Sequence, residues 1–128
     1  MPILFNVSEK VQPGVAGGGE KKFYATIKFD GEVTIDELVK EIEKFSSLSE
    51  PDIRGVIIAL ENTIQDKLAS SKIVRLDKLG SFYPAISSTG AEKAENVNSS
   101  SIKSVNVNYR AGKRILDTLG NAGFKKSV

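Results

Sequence analysis

Five consecutive apolar residues, Val56-Ile57-Ile58-Ala59-Leu60, sit inside what otherwise reads as an amphipathic helix, and they limit what this chain can fold into. The helix starts at Ser49, a good N-cap. Pro51 is tolerated in its first turn, and Asp52 suits the positive end of the dipole. Ile53, Val56, Ile57, Leu60, Ile64 and Leu68 form the expected stripe. Ile58 and Ala59 extend the apolar surface around most of the circumference. A helix of that kind must be covered on more than one side. A chain of 128 residues with two or three helices has little to cover it with. The economical solution is a partner subunit. The alternative is a sheet on one side and the other helix on the opposite side.

The remaining pattern is mixed. Ile3, Phe5 and Val7 alternate with Leu4, Asn6 and Ser8, and Phe23, Ala25, Ile27 and Phe29 alternate with polar residues, predicting two strands. The connection Pro13-Gly14-Val15-Ala16-Gly17-Gly18-Gly19 reads as a mobile hairpin loop. Gly14 and Gly19 have the spacing of a phosphate-binding loop, but Glu20 stands where that loop needs lysine and would repel a phosphate. Thr34 and Glu37 make a capping-box pattern ahead of a helix over 34–46, with Ile35, Leu38, Val39, Ile42 and Phe45 on one face. Residues 72–88 return to strand, bent at Gly80. Pro84 within them points to an edge or irregular pairing. Residues 88–101 are polar and aperiodic, a long loop or arm. Val105, Val107 and Tyr109 mark another strand, a short helix follows Gly112, and residues 123–128 read as a basic tail.

Composition removes whole classes of chemistry. There is no Cys, which excludes disulfides, thiolate catalysis and Cys-based zinc sites, and no His, the commonest general base and metal ligand. Neighbouring carboxylates such as Glu37 and Glu41 are ordinary surface charge on a helix. The expectation is a non-enzymatic protein without cofactor, metal or small-molecule substrate. No apolar run approaches a membrane span, and the opening residues do not read as a signal peptide, which is compatible with the cytoplasm. The net charge of +2 is unevenly spread. Residues 1–31 carry +1. Residues 32–71 carry four bases against nine acids, net −5. Residues 72–128 carry ten bases against four acids, net +6. A chain with one basic side can bind a polyanion although its total is near neutral.

Three segments carry a family resemblance. Thr34-Ile35-Asp36-Glu37-Leu38-Val39 through Leu48-Ser49-Glu50-Pro51-Asp52 is similar to the opening helix and the start of the second helix in the HU and integration host factor family of bacterial histone-like proteins. Val74 to Phe82, above all Leu79-Gly80-Ser81-Phe82, resembles that family's strand into a Gly-Phe-Gly-Asn/Ser-Phe turn. Tyr109-Arg110-Ala111-Gly112-Lys113 resembles its Phe-Lys/Arg-Pro-Gly-Lys, which closes the arm and starts the last helix. The match covers residues ~33–119, in order and at the right separations. Residues 1–31 lie outside it, as in long-form relatives with an added segment.

The resemblance implies an α+β, HU-like intertwined dimer: a two-helix body, a β-sheet saddle with two β-arms, and a short C-terminal helix. It implies an N-terminal β-hairpin extension over 1–31 and a DNA-binding domain over 32–128. Val56, Ile57, Ile58, Leu60, Ile64 and Phe82 are then the expected homodimer interface. Double-stranded DNA is the expected partner, held through phosphates from its minor-groove side, in the nucleoid and with little sequence preference. Arg110, Lys113 and Arg114 are the expected contacts, with Lys93 and Lys103 on the arm and Arg75 and Lys78 as lesser ones. The local alternatives are that Lys113 only solvates a helix start and that Arg110 pairs with Asp117. The chain departs from the family in having no proline over 88–108, where the family carries a wedge, and no arginine-rich segment after Phe82. Weak, strongly salt-dependent phosphate binding is therefore expected. One rival reading keeps the fold as a structural or protein-interaction module. Another, a winged helix reading a groove with its second helix, is opposed by Glu50, Asp52, Glu61 and Asp66.

Overall fold

The computed structural model describes residues 1–11, 14 and 16–127. They form two compact units, Ile35–Leu116 and Met1–Thr34 with Asp117–Val128. Pro13 and Val15 of the glycine-rich connection lie outside the described residues.

In the first unit, α1 (Ile35–Phe45) places Asp36 and Glu37 in its first turn and Lys44 in its last, each at the favourable end of the dipole. The second helix, α2 (Glu50–Ala69), is capped as its sequence suggests. The Ser49 side chain accepts from the Asp52 backbone N–H, and its hydroxyl donates to the Asp52 carboxylate at 2.9 Å. The two helices pack together, and an ion pair between Arg54 and Asp36 links them. Val39 on α1 and Ile53 on α2 are the buried hydrophobic side chains among the described residues.

The sheet of this unit has the order β3-β4-β5, with β3 (Val74–Arg75), β4 (Gly80–Ser88) and β5 (Ile102–Ala111) all antiparallel. The β3 strand is short because the chain turns at Leu76, and Asp77 takes a φ of 52°. Beyond Phe82, β4 has no partner on that side, so Pro84 removes no ladder hydrogen bond there. The register puts Val74, Phe82, Pro84, Ile86, Val105, Val107 and Tyr109 on one face. Arg75, Ser81, Tyr83, Ala85, Ser87, Ser104, Asn106, Asn108 and Arg110 share the other. The apolar face is open: Leu68 and Ala69 at the end of α2 border a hollow of about 380 Å³ with Pro84, Val105 and Val107.

The second unit holds a three-stranded sheet of order β2-β1-β6. Strands β1 (Ile3–Val11) and β2 (Lys21–Ile27) pair as the predicted hairpin, with Phe5 opposite Ile27 and Val7 opposite Ala25. The expected basic tail is instead a strand, β6 (Phe124–Lys126), parallel to β1, with Ile3 opposite Phe124. Three residues carry no alternation to read, and their partner lies at the far end of the sequence. Helix α3 (Lys113–Asn121) connects β5 to this last strand. Phe23, Ile27 and Phe124 share one exposed face. No helix among the described residues is long and apolar enough to cross a membrane.

Candidate nucleic-acid interface

The two glycine motifs that carried the resemblance meet in space. Gly80 has a φ of +131°, a conformation only glycine adopts without strain, and a Cβ there would fall on the Arg110 carbonyl oxygen and 2.8 Å from the Tyr109 ring. A Cβ on Gly112 would lie 2.7 Å from the Lys78 carbonyl carbon, closer still to its oxygen. The Tyr109 hydroxyl donates to the Leu79 carbonyl at 2.6 Å, and the Gly112 N–H donates to the same carbonyl at 3.3 Å. The 76–80 turn and the 109–112 segment are thus locked backbone to backbone. Phe82 lies against Tyr109 on the apolar side, ring centroids 5.3 Å apart.

This crossing gathers cations at one end of the sheet. Arg75 pairs in register with Ser81, and Ser81 with Arg110, so the three form one row across β3, β4 and β5. Lys78 belongs to the locked turn. Lys113 and Arg114 open α3 immediately after Gly112. Five of the seven sequence-predicted cations therefore cluster there. Lys93 and Lys103 belong to the other end, about 27 Å along β4 by strand geometry. Lys103 is the extra residue of a β-bulge, where the partners shift from Ser87 with Ser104 to Ser88 with Ile102. Lys93 precedes a short turn at Ala94–Asn96, between Glu92 and Glu95.

Sequence reasoning missed the centre of this cluster. Tyr83 is half-buried on the polar face. The Arg110 guanidinium carbon lies 5.0 Å from its ring centroid and that of Arg75 5.7 Å, both within cation–π range. Arg75 also donates to the Tyr83 hydroxyl and to Ser81 Oγ, each at 3.3 Å. The Arg75 hydrogen bond, with the charges of both arginines, holds the Tyr83 phenol below its ordinary pKa. Which arginines Tyr83 meets depends on two registers, that of β4 with β3 for Arg75 and that of β4 with β5, some 25 residues away, for Arg110.

The expected interface residues fall into two sets. Val56, Ile58 and Leu60 on α2 are exposed, whereas Ile57, Ile64 and Phe82 are half-buried.

Among solved structures, a candidate bacterial DNA-binding protein from Bacteroides vulgatus ATCC 8482 has a similar fold, with a TM-score of 0.65 at 11% sequence identity. The similarity covers 98% of this chain and 49% of that one, so the chain spans about half the length of its structural relative. No curated protein sequence matches significantly. A family pattern does match, over residues 1–126, that of HU-HIG, described as an HU domain fused to a wHTH, Ig or glycine-rich motif. With nearly its whole length matched and an HU-like fold, the chain belongs to the HU-HIG family.

Proposed function

We propose that this protein binds double-stranded DNA non-specifically, as a histone-like homodimer of the nucleoid, without catalysis. The observation that carries this reading is the cation cluster. Arg75 and Arg110 share a sheet face on which the register sets no acidic residue, Lys78 stands beside Asp77 in the turn that leads into that sheet, and Lys113 and Arg114 open the helix that follows it. Such an array suits phosphate oxygens and reads no base edges. The acidic −5 segment lies on α1 and α2, and the basic strands follow it. In this reading residues 32–128 contact DNA, from the minor-groove side, and residues 1–31 add a hairpin.

Dimer formation is supported by the uncovered apolar surface. Among the described residues the buried side chains Val39 and Ile53 do not make a core for a stable domain, and Val56, Ile58, Leu60, Ile86, Val105 and Val107 stand exposed. Val56 and Leu60 on α2, with the open apolar sheet face, suit a second copy.

The test is a fluorescence-anisotropy salt titration with a random-sequence duplex. Binding at ~50 mM salt should weaken linearly in log–log form as salt rises. Absence of binding at low salt, or binding without a salt slope, refutes DNA as the partner. It would leave the reading of a protein-interaction module, which the exposed Phe23, Ile27 and Phe124 face of the second sheet favours.

A further inference from the structure

We propose that the open apolar face of the β2-β1-β6 sheet is a self-association surface, which takes the same face of a second copy in an antiparallel stack centred on Val7 and Ala25. The contact is separate from the α2 surface assigned to the dimer and goes beyond the DNA reading.

The register decides what that face presents. Phe5 stands opposite Ile27, Val7 opposite Ala25 and Glu9 opposite Phe23, while Ile3 and Phe5 lie beside Phe124 and Lys126. Paired residues, and residues two apart along a strand, share a face. The apolar members of this one are uncovered. Phe23 and Phe124 each keep 70% of their surface, Ile27 58%, Val11 54% and Val7 45%. These five leave on the order of 500 Å² of apolar surface open, as much as the largest patch on an ordinary monomer. Two such faces packed together remove on the order of 1,000 Å², where specific interfaces begin. A contact of that size is weak, with a dissociation constant on the order of 10–100 µM.

The occupant follows from where shape and charge lie on the face. Sheets stack about 10 Å apart with their strands nearly aligned. A two-fold axis across the strands at Val7 and Ala25 reverses strand direction and sets each strand over its own copy. The Ile27 row of one protomer then lies over the partner's Phe23 row. A hollow of about 490 Å³ opens beside Ile27, and Phe5, Ala25 and Phe124 of the same face border it. The partner's Phe23, an exposed ring, is set over that hollow. The charges agree with this placement. Glu9 is the acid that these strands put on the face, and it belongs to the Phe23 row, while Lys126 belongs to the Phe5 row. The axis brings each Glu9 level with the partner's Lys126, one strand aside and within reach of the long lysine side chain. Because β6 ends at Lys126, this pair sits at the rim. A two-fold axis along the strands would instead set Glu9 against the partner's Glu9.

The test is sedimentation velocity of the full chain from ~1 to ~200 µM, a range that brackets a weak interface, with melting curves to check folding. Wild type should at least double its mass over that range. The starting mass, 13.8 kDa or twice that, reports on the α2 dimer, and the doubling reports on this face. Phe23→Ser should keep the low-concentration mass throughout. Glu9→Lys alone and Lys126→Glu alone should each weaken the association about tenfold, because each sets two like-charge contacts across the axis. Both changes together should restore it to within about threefold of wild type. A wild type that keeps one mass overturns the proposal, as does Phe23→Ser associating like wild type. Single reversals without effect, or a double reversal no tighter than the singles, refute the antiparallel stack. Should Phe23→Ser melt far below wild type, the charge reversals decide.

Discussion

Replacing Val56 and Leu60 together by alanine should separate the proposed dimer without touching a charge. The two side chains stand one turn apart on α2 and keep 60% and 45% of their surface exposed. Complete burial of a Val or Leu side chain stabilises by about 1.5–3 kcal/mol, so covering the exposed half of each contributes about 1 kcal/mol. A two-fold interface uses the same patch twice, which makes the double substitution worth about 4 kcal/mol of association energy. At 1.4 kcal/mol per decade, the dimer dissociation constant should rise nearly a thousandfold. Sedimentation velocity over a concentration series reads this directly. Wild type should sediment at twice 13.8 kDa at micromolar concentration, while the variant dissociates or unfolds at the same concentration. Two results refute the reasoning. One is a wild type that sediments as a clean monomer and melts cooperatively. The other is a variant whose dimer is as tight as wild type.

Other consequences can be checked separately. Gly112→Ala should lower stability by more than ~2 kcal/mol in urea melts, because its Cβ meets the backbone of the locked turn. Gly120→Ala, with nothing within 4 Å, should be neutral or gain up to about 1 kcal/mol through helix propensity. Arg110→Ala combined with Lys113→Ala should weaken duplex binding to a similar degree for all sequences and reduce the salt slope by about 1–2, measured by anisotropy. The Arg54 hydrogen bond and charge hold the Asp36 carboxyl below its usual 3.8, so this pair stabilises the fold above that value and the contribution fades as pH falls through the folded pKa. Asp36→Asn should accordingly be less stable than wild type at pH 7, and the gap should close on acidification below pH ~4 in chemical denaturation.

Much of the fold could be read along the chain because its signals are local. Ser49 with Asp52 announces the start of α2, and alternation marks β1, β2 and β5. The Leu79-Gly80-Ser81-Phe82 and Tyr109-to-Lys113 motifs were legible one by one, and the structure brings them to one junction. Gly80 and Gly112 then show why glycine is needed there: each backbone passes where the other's Cβ would sit. What stayed hidden depends on partners remote in sequence. The β6 strand exists because Ile3 to Phe5 offer a free edge, and nothing within Phe124-Lys125-Lys126 announces it. The bulge that leaves Lys103 without a cross-strand partner is a register event at Ser87 and Ser88, invisible to composition.

The distribution of cations along the β4–β5 ribbon argues for how the protein engages DNA under this reading. Charge is dense at the locked end, where Gly80 and Gly112 hold Arg75, Lys78, Arg110 and Lys113 on a rigid junction. Toward the other end the polar face continues as Tyr83, Asn108, Asn106 and a Ser87–Ser104 hydroxyl pair at 2.6 Å, all uncharged. Such groups can bond to phosphate or sugar oxygens but release no counterions. With no proline over 88–108 to insert between base steps, and with Lys93 and Lys103 offset by Glu92 and Glu95, the ribbon supplies contact area more than charge. Its contribution to affinity should then depend little on salt, while that of the junction falls steeply. Placing lysines at Glu92 and Glu95 should steepen the salt slope of duplex binding and leave the locked junction's stability unchanged. An unaltered slope would mean that the tip of the ribbon does not reach the duplex.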